Sequence, residues 1–325
     1  MAKLAMVEAI TQAMAYELEH DPAVVVLGED VGGNGGVFRA TLGLQQRFGK
    51  DRVMDTPLAE ALIAGMSIGM AAMGLKPVAE IQFSGFIYPT VDQMINHAGR
   101  LRNRTRGRLH VPMVLRAPAG GGIRSPEHHS ESNEALFAHM PGIRTVMPSS
   151  ATRAYGLLLA SIRDPDPVVF LEPTRLYRMN KQEVPDNGEA LPLDTCFVLH
   201  EGADVTLVSW GAMIHESLQA AAKLAEEGVG CEVIDLATIS PIDFETILES
   251  VEKTGRLVIV HEAPRNGGVG AEIAATVAEK AIYALKAPIE RVTGYDVPMP
   301  LFKLEHDYMP SVERVLAGVR KVLET

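Results

Sequence analysis

Residues 23–28 read AVVVLG and residues 167–172 read PVVFLE, and these two apolar runs decide the fold class. A strand with one solvated face alternates apolar and polar side chains, whereas a strand covered on both faces reads as a continuous apolar run. Both segments are short, rich in β-branched residues and bounded by turn residues. They therefore predict buried strands in a sheet that has helices on both sides.

Outward from these runs, short apolar stretches alternate with longer helical ones, which predicts parallel α/β architecture. The first series predicts strands at 23–27, 52–54, 78–81, 113–116, 144–147 and 168–171, with helices at 6–19, 57–73, 88–104, 134–139 and 151–163. A second series predicts strands at 205–209, 232–236, 257–260 and 291–292, with helices at 213–227, 243–253, 270–285 and 311–323.

Between the two series, residues 182–194 read QEVPDNGEALPLD, and the periodicity stops there. A polar stretch with proline and glycine is typical of a linker. We therefore expect two parallel-sheet α/β domains, at residues 1–185 and 195–325.

Composition narrows the class of protein. The chain has 325 residues with 30 Lys and Arg against 41 Asp and Glu, a net charge of −11, which disfavours nucleic-acid binding. The sequence contains no run of 18 apolar residues, so no membrane span is predicted. The N-terminus reads as structure rather than as a signal peptide. Cys196 and Cys231 lack metal-ligand spacing, which favours a reducing compartment and a cytoplasmic location.

Two segments could contribute to a functional site, one as a ligand-binding loop and the other through a carboxylate. Residues 28–38, GEDVGGNGGVF, follow a strand but run into Val37 and Phe38 instead of opening a helix, so a flexible loop near a ligand is a better interpretation than a dinucleotide loop. In residues 55–74, Thr56 can cap a helix and Pro57 suits its first turn. Glu60 is then either a capping-box carboxylate or a buried carboxylate presented by a helix of small residues.

Two further segments carry side chains that could take part in catalysis or bind a metal ion. His128 and His129 follow the glycine run 120–122 on a loop after a predicted strand, the end of a parallel strand where ligands bind. Lone histidines are usually structural, and zinc is disfavoured because no further ligand stands at the right spacing. Asp164 and Asp166 follow a predicted helix end, either as a plain turn or as oxygen ligands for a hard cation.

Several motifs then agree in order and spacing with one known family. They are LGEDVG (27–32), GGVF (35–38), RVMDTPLAE (52–60), PVAEIQF (77–83), HHSES (128–132), SIRDPDPVVFLEP (161–173) and RVTGYDVPMP (291–300). Over essentially its whole length the chain resembles the beta subunit of the thiamine diphosphate-dependent 2-oxo acid dehydrogenase component. This resemblance implies a pyrimidine-binding thiamine diphosphate fold followed by a transketolase C-terminal-like domain.

The resemblance also implies site residues. Glu60 matches the glutamate that activates the cofactor, Phe86 the aromatic residue beside its aminopyrimidine, and Gln82 a further residue lining that site. His129 matches the active-site histidine, although the family's HSQS reads HSES here, with Glu131. A potassium site of some members matches Met113, Ser161, Ile162, Asp164 and Asp166. Ser161 and Pro165 stand where members vary.

One motif of thiamine diphosphate enzymes is missing from this sequence, and the resemblance explains why. Family enzymes hold the cofactor pyrophosphate through magnesium on a GDG segment, and this sequence contains no GDG. We therefore expect the magnesium ligands on a separate alpha subunit, within an α2β2 assembly bound to a dihydrolipoyl acyltransferase core and its lipoyl domain. The implied activity is oxidative decarboxylation of pyruvate, or of a branched-chain 2-oxo acid or acetoin, with acyl transfer to lipoyl groups. The alternatives are a self-sufficient transketolase-like enzyme and a non-catalytic α/β binding protein.

Overall fold

A computed structural model describes residues 2–325. Its strands are β1 (Ala2–Leu4), β2 (Val24–Gly28), β3 (Val53–Asp55), β4 (Lys76–Glu80), β5 (Val114–Ala119), β6 (Arg144–Val146), β7 (Val168–Pro173), β8 (Gln182–Val184), β9 (Phe197–His200), β10 (Val205–Ser209), β11 (Cys231–Asp235), β12 (Thr238–Ser240), β13 (Leu257–His261) and β14 (Glu290–Thr293).

The helices alternate with these strands. They are α1 (Met6–His20), α2 (Leu44–Phe48), α3 (Glu60–Ala72), α4 (Val91–Gln93), α5 (Gly99–Arg104), α6 (Glu134–Ala138), α7 (Ala151–Arg163), α8 (Met213–Glu226), α9 (Phe244–Thr254), α10 (Val269–Ala281), α11 (Glu305–Tyr308) and α12 (Val312–Leu323). The helix predicted at 88–104 is instead a succession of short helical turns, with a π-helical turn at Met94–Ala98 between α4 and α5.

The first sheet has seven strands in the order β12-β6-β7-β5-β4-β2-β3. Its strands are parallel except β12, which pairs antiparallel with β6. Every residue of β2, β5 and β7 is buried, as their continuous apolar runs predict for a doubly covered sheet. Helices α1 and α7 pack together against one face, and α3 packs against the other.

The second sheet has five strands in the order β14-β13-β10-β11-β9, parallel except for the edge strand β9. The prediction of two mainly parallel α/β sheets is therefore confirmed. Antiparallel β9 and β12 were not predicted. Helices α7, α9 and α12 each begin at a side-chain N-cap. Their N-caps are Ser150, Asp243 and Ser311, and each accepts a hydrogen bond from a backbone N–H in the first turn.

The segment between the two sheets is more structured than a free linker. Residues 182–184 form β8, which pairs antiparallel with β1 at the start of the described chain. Strand β12 follows β11 of the second sheet in the sequence, yet it adds to the edge of the first sheet through β6. The domain boundary expected near 182–194 stays a prediction, and residue 1 lies outside the described range.

Candidate active site

The candidate site lies at the carboxyl edge of four neighbouring strands. In the order β5-β4-β2-β3 these strands are parallel and hydrogen-bonded, so the segments that follow them start at one edge. Glu29 follows β2, and Glu60 begins the helix after β3. Gln82 and Phe86 follow β4, and both are half-buried. The loop that carries His129 follows β5. The structure thus brings the predicted residues to one edge, where parallel sheets bind ligands.

Glu60 is the first residue of α3 and is half-buried. The capping role predicted for Thr56 is wrong, because its hydroxyl donates to the Pro57 carbonyl at 3.1 Å and the helix begins three residues after Pro57. Ala59 is the N-cap, and no side-chain capping bond is formed there. The capping-box interpretation of Glu60 therefore has no partner in the structure. The carboxylate instead lies where the positive end of the helix dipole stabilises negative charge.

Glu29 is a second carboxylate of the site, and the sequence analysis did not single it out. It is buried, and its Oε1 atom has no hydrogen-bond partner among residues 2–325. Burial raises its pKa, and the negative charges of Glu60 and Asp30 raise it further. Its position directly after an all-buried strand is the signal that could have revealed it. The site therefore contains two interacting carboxylates, and Glu29 has a buried oxygen atom without a hydrogen-bond partner in the described residues.

An aromatic cluster surrounds His129. Its ring meets Phe83 edge-on at a centroid distance of 4.0 Å, and the rings of Phe86 and His128 lie 5.3 Å and 4.1 Å away. The Nδ1 atom is buried and has no partner among residues 2–325. Burial lowers the His129 pKa, and His128 lowers it further against the opposing effect of Glu127. His129 is therefore neutral at pH 7. Phe83 was not predicted.

The loops after β4 and β5 are fixed to each other. Ser84 Oγ donates to the Glu131 carbonyl at 2.8 Å, and Asn133 Nδ2 donates to the Ser84 carbonyl at 2.9 Å. The Tyr88 hydroxyl donates to the Glu131 carboxylate at 2.8 Å, so the charge of that residue has a partner. A Cβ on Gly85 would lie 1.8 Å from the His128 carbonyl oxygen, so only glycine permits this approach.

A buried network of charged side chains joins the central strands near the same edge. Arg116 on β5 is almost fully buried and donates to Glu80 on β4. It also donates from Nε and Nη2 to the two oxygens of Glu172 on β7, at 2.7 Å and 2.8 Å. Tyr177 donates to Glu172 as well. This network joins three central strands, and the sequence analysis missed it because its members lie 36 and 56 residues apart.

The glycine-rich segment 28–38 packs over this network. A Cβ on Gly36 would lie 2.7 Å from Glu80 Oε1, and the Gly32 N–H donates to Asp55 at 2.6 Å. The next helix, α2, begins only at Leu44. No helix N-terminus opens within the segment, so it lacks the geometry of a dinucleotide-binding loop.

The residues matched to a potassium site gather at the opposite, amino edge of the first sheet. Met113 directly precedes β5, and its carbonyl accepts the Val168 N–H at 3.0 Å. Ser161 and Ile162 are buried at the end of α7. Asp164 and Asp166 follow, paired with Arg144 at 3.2 Å and with Arg102 at 2.5 Å respectively. Burial raises the Asp164 pKa despite Arg144.

Two absences were observed within the described range. Among residues 2–325, no group of three or more His, Cys, Asp or Glu side chains is arranged to hold a metal ion. None of the helices in this part of the chain is both long and apolar enough to cross a membrane.

Comparison with known proteins identifies the family. Residues 2–180 match the transketolase pyrimidine-binding domain, and residues 195–315 match the transketolase C-terminal domain. The chain is 52% identical to the pyruvate dehydrogenase E1 component subunit beta of Acholeplasma laidlawii, over 99% of this chain and 98% of the relative. The chain belongs to the family of pyruvate dehydrogenase E1 component beta subunits. Members of this family are subunits of a thiamine diphosphate-dependent enzyme.

Other relatives and a solved structure agree with this family. The corresponding subunits of Bacillus subtilis strain 168 and Staphylococcus epidermidis are 48% and 47% identical, each over the full length of both chains. A structure described as a split gene transketolase, inactive beta4 tetramer, superposes with a TM-score of 0.81 at 24% identity, covering 99% of each chain. That likeness shows the fold. The resemblance expected from the sequence is confirmed, including its two transketolase-like parts.

Proposed function

We propose that this chain supplies half of the active site for the oxidative decarboxylation of pyruvate, with transfer of the acetyl group to lipoyl groups. One observation carries the proposal. Glu60 and Glu29 follow neighbouring strands at the sheet edge where the His129 cluster also lies. Two interacting carboxylates and a neutral histidine at one sheet edge provide groups that can hold and exchange protons.

The residues at this edge fit thiamine diphosphate. A half-buried carboxylate at a helix start, Glu60, would exchange a proton with the aminopyrimidine ring. Phe86 would lie beside that ring, and Gln82 would line the same space. The buried Oε1 atom of Glu29, which has no hydrogen-bond partner in the described part of the chain, is free to accept a hydrogen bond from a ligand. When bound, the cofactor supplies the electron sink that loss of carbon dioxide from a 2-oxo acid requires.

His129 would act in the transfer of the acyl group to lipoyl. It would serve as a proton donor or an orienting group for the lipoyl sulfur. Burial lowers the pKa of its ring, so the ring is neutral at pH 7 and would first take up the proton that it passes to that sulfur. The rings of Phe83 and Phe86 restrict its orientation. His128 is exposed and pairs with Glu127 when protonated, which leaves His129 as the better-placed histidine.

The other half of the site would come from an alpha subunit in an α2β2 assembly. Large apolar side chains are exposed on the segments around Glu60; they are Val37, Leu42, Leu58 and Leu62. Exposed apolar surface beside a candidate site favours cover by another chain. The magnesium ligands are expected on that alpha subunit, because this chain has no GDG segment. A dihydrolipoyl acyltransferase core and its lipoyl domain would bind the assembly.

Three finer statements complete the proposal. Pyruvate is preferred over branched-chain 2-oxo acids and acetoin, because the named relatives are pyruvate dehydrogenase subunits. A cytoplasmic location is favoured by the two free, buried cysteines. Potassium would lie at the amino edge of the first sheet, where the last carbonyls of α7 and Asp164 provide oxygen ligands.

The test is reconstitution with the co-purified alpha subunit. We expect cofactor- and magnesium-dependent acetylation of a lipoyl domain with pyruvate, and a lower rate with 2-oxoisovalerate. Glu60→Gln should lower the rate at least about 100-fold, whereas Glu249→Gln, at an exposed position of α9, should leave it unchanged. Full activity in Glu60→Gln would contradict the proposal. Cofactor binding by the isolated chain would instead favour a self-sufficient enzyme, and the absence of any cofactor-induced thermal shift would favour a non-catalytic protein.

A further inference from the structure

The loop that carries His129 is attached to the second half of the chain by Glu262. This residue directly follows β13, at the carboxyl edge of the second sheet. Its Oε1 atom accepts the Gly121 N–H at 3.2 Å and the Ser132 hydroxyl at 2.8 Å. These two donors stand on either side of His129 in the sequence. A single carboxyl group therefore fixes both ends of the loop.

A second buried carboxyl lies beside it. Glu134, the first residue of α6, accepts the Trp210 indole N–H at 3.1 Å. The Oε2 atoms of Glu134 and Glu262 are both buried, and neither has a hydrogen-bond partner among residues 2–325. Two buried, unpartnered carboxyl oxygens of like charge are unfavourable when both groups are ionised, so protonation relieves the cost.

Other charged and titratable groups lie around this pair of carboxyls. Arg175, which also binds Glu216, is the cation near Glu262. Tyr308 on α11 is buried close to both carboxyls, and Glu131 and Asp296 lie close enough to Tyr308 to affect its pKa. His261 precedes Glu262 but stacks on Trp210, and burial lowers its pKa to about 4, so it is neutral.

The glycine run 120–122 allows this close approach. A Cβ on Gly120 would lie 2.0 Å from Glu262 Oε1, and a Cβ on Gly121 would lie 2.5 Å from the Met299 Cε atom. Glu305 also accepts the N–H groups of Gly122 and Arg124, at 2.8 Å and about 3.1 Å. Because they lack a Cβ, these glycines allow the loop to contact the second half of the chain closely.

We propose that Glu262 is a positioning residue that, in its protonated form, docks the His129 loop onto the second half of the chain. This inference rests on the function proposed above for His129. Glu262 touches neither the carboxylates near β2 and β3 nor the histidine itself, and it acts through Gly121 and Ser132.

The protonation state follows from the surroundings of Glu262. Burial raises its pKa most, and the charge of Glu134 also raises it. The hydrogen bonds from Ser132 and Gly121 and the charge of Arg175 lower it, and together these effects raise the pKa to about 7. In an undocked loop the carboxyl is solvated and returns toward its usual pKa of 4.5. The docked state therefore binds the extra proton, and docking weakens as the pH rises toward 7 and levels off above it.

Amide hydrogen exchange of residues 120–133 in the full chain tests this directly. After correction for intrinsic exchange, protection should fall by about fifteenfold between pH 5.5 and 7 in the wild-type chain. Glu262→Gln keeps an oxygen acceptor but cannot titrate, so its protection should not depend on pH. Glu249→Gln should behave as wild type. Equal pH dependence in wild type and Glu262→Gln would overturn the proposal.

A second variant and an activity measurement complete the test. Ser132→Ala removes a hydrogen bond that lowers the Glu262 pKa, so the loss of protection should extend to higher pH. An unchanged exchange profile would contradict the docking role. In the reconstituted enzyme, Glu262→Gln should flatten the pH profile of lipoyl acylation near pH 7. Exchange does not depend on catalysis, so activity persisting in Glu60→Gln would overturn the proposed function while leaving the docking result to stand.

Discussion

Glu60 raises the pKa of Glu29 across two neighbouring parallel strands. Gly28 at the end of β2 is in register with Asp55 at the end of β3, so the segments that carry the two carboxylates leave the sheet at adjacent positions of one edge. Neighbouring carboxylates hold a proton more tightly than isolated ones. The sheet register therefore creates a proton-holding pair from residues 31 positions apart in the sequence.

Glu60→Gln should lower the pKa of Glu29, because it removes the nearby negative charge that Glu29 experiences. Side-chain carbon NMR titration of the full chain, with glutamate labelled, measures this pKa. Glu249→Gln should leave it unchanged. A Glu29 pKa that is identical in wild type and Glu60→Gln would mean that the two carboxylates do not interact.

His129→Gln in the reconstituted enzyme should lower lipoyl acylation by about 100-fold or more. Decarboxylation followed with an artificial electron acceptor should change much less, because it does not require acyl transfer. His128→Gln is the matched control, since His128 is adjacent but exposed, and both rates should stay near wild type. If His128→Gln gave the larger loss, the assignment of the two histidines would be reversed.

Gly85→Ala should displace the His129 loop. The added methyl group would lie 1.8 Å from the His128 carbonyl oxygen, and this backbone contact cannot relax by side-chain rotation. Overpacking of this kind costs about 1–3 kcal/mol, and acyl transfer should fall with it. Gly33→Ala, where a Cβ meets nothing within 4 Å, is the control. Thermal unfolding and lipoyl acylation of both variants decide between these outcomes.

Arg116→Leu should lower the free energy of unfolding by about 3–5 kcal/mol, because it leaves the buried Glu80 and Glu172 carboxylates without their cation. Arg102→Leu removes the half-exposed partner of Asp166 and should cost less than about 1 kcal/mol. Urea unfolding of the two variants gives the comparison. Equal losses would mean that the Arg116 network contributes no more than a surface ion pair.

Replacing potassium with tetramethylammonium should lower the melting temperature by a few degrees, if a cation occupies the amino edge of the first sheet. A bound cation would offset the burial that raises the Asp164 pKa. Asp164→Asn should remove the difference between the two salts. An unchanged melting temperature of the wild-type protein would exclude a potassium contribution to stability.

The sequence predicted the central strands and the edge where the site lies, because both follow from local patterns. A continuous apolar run marks a doubly covered strand, and chemistry-bearing residues directly after such runs must meet at its carboxyl edge. The start of α3 was misplaced by three residues because Pro57 and Thr56 mimic a helix start, whereas Ala59 is the N-cap, with a non-helical φ of −158° and ψ of 84°.

Contacts between distant segments could not be predicted in the same way. Glu262 meets Gly121 across 141 positions, and Arg116 meets Glu172 across 56. Nothing in the local periodicity of either segment encodes such pairings. The first depends on how the two halves of the chain pack, and the second on the strand order within the first sheet. Phe83 and Glu29 were missed for a different reason. Glu29 directly follows a predicted strand, a signal that was not used. Phe83 directly follows Gln82, and only the side-chain geometry distinguishes it from a core residue.

The edge strand β12 carries a consequence for how this protein can be divided. Residues 238–240 complete the first sheet, although they lie far beyond the predicted linker in the sequence. A fragment ending near residue 190 would leave the backbone groups of Arg144–Val146 uncovered, and an open sheet edge recruits other chains. The first half therefore cannot be separated from the second without losing the strand that covers its edge.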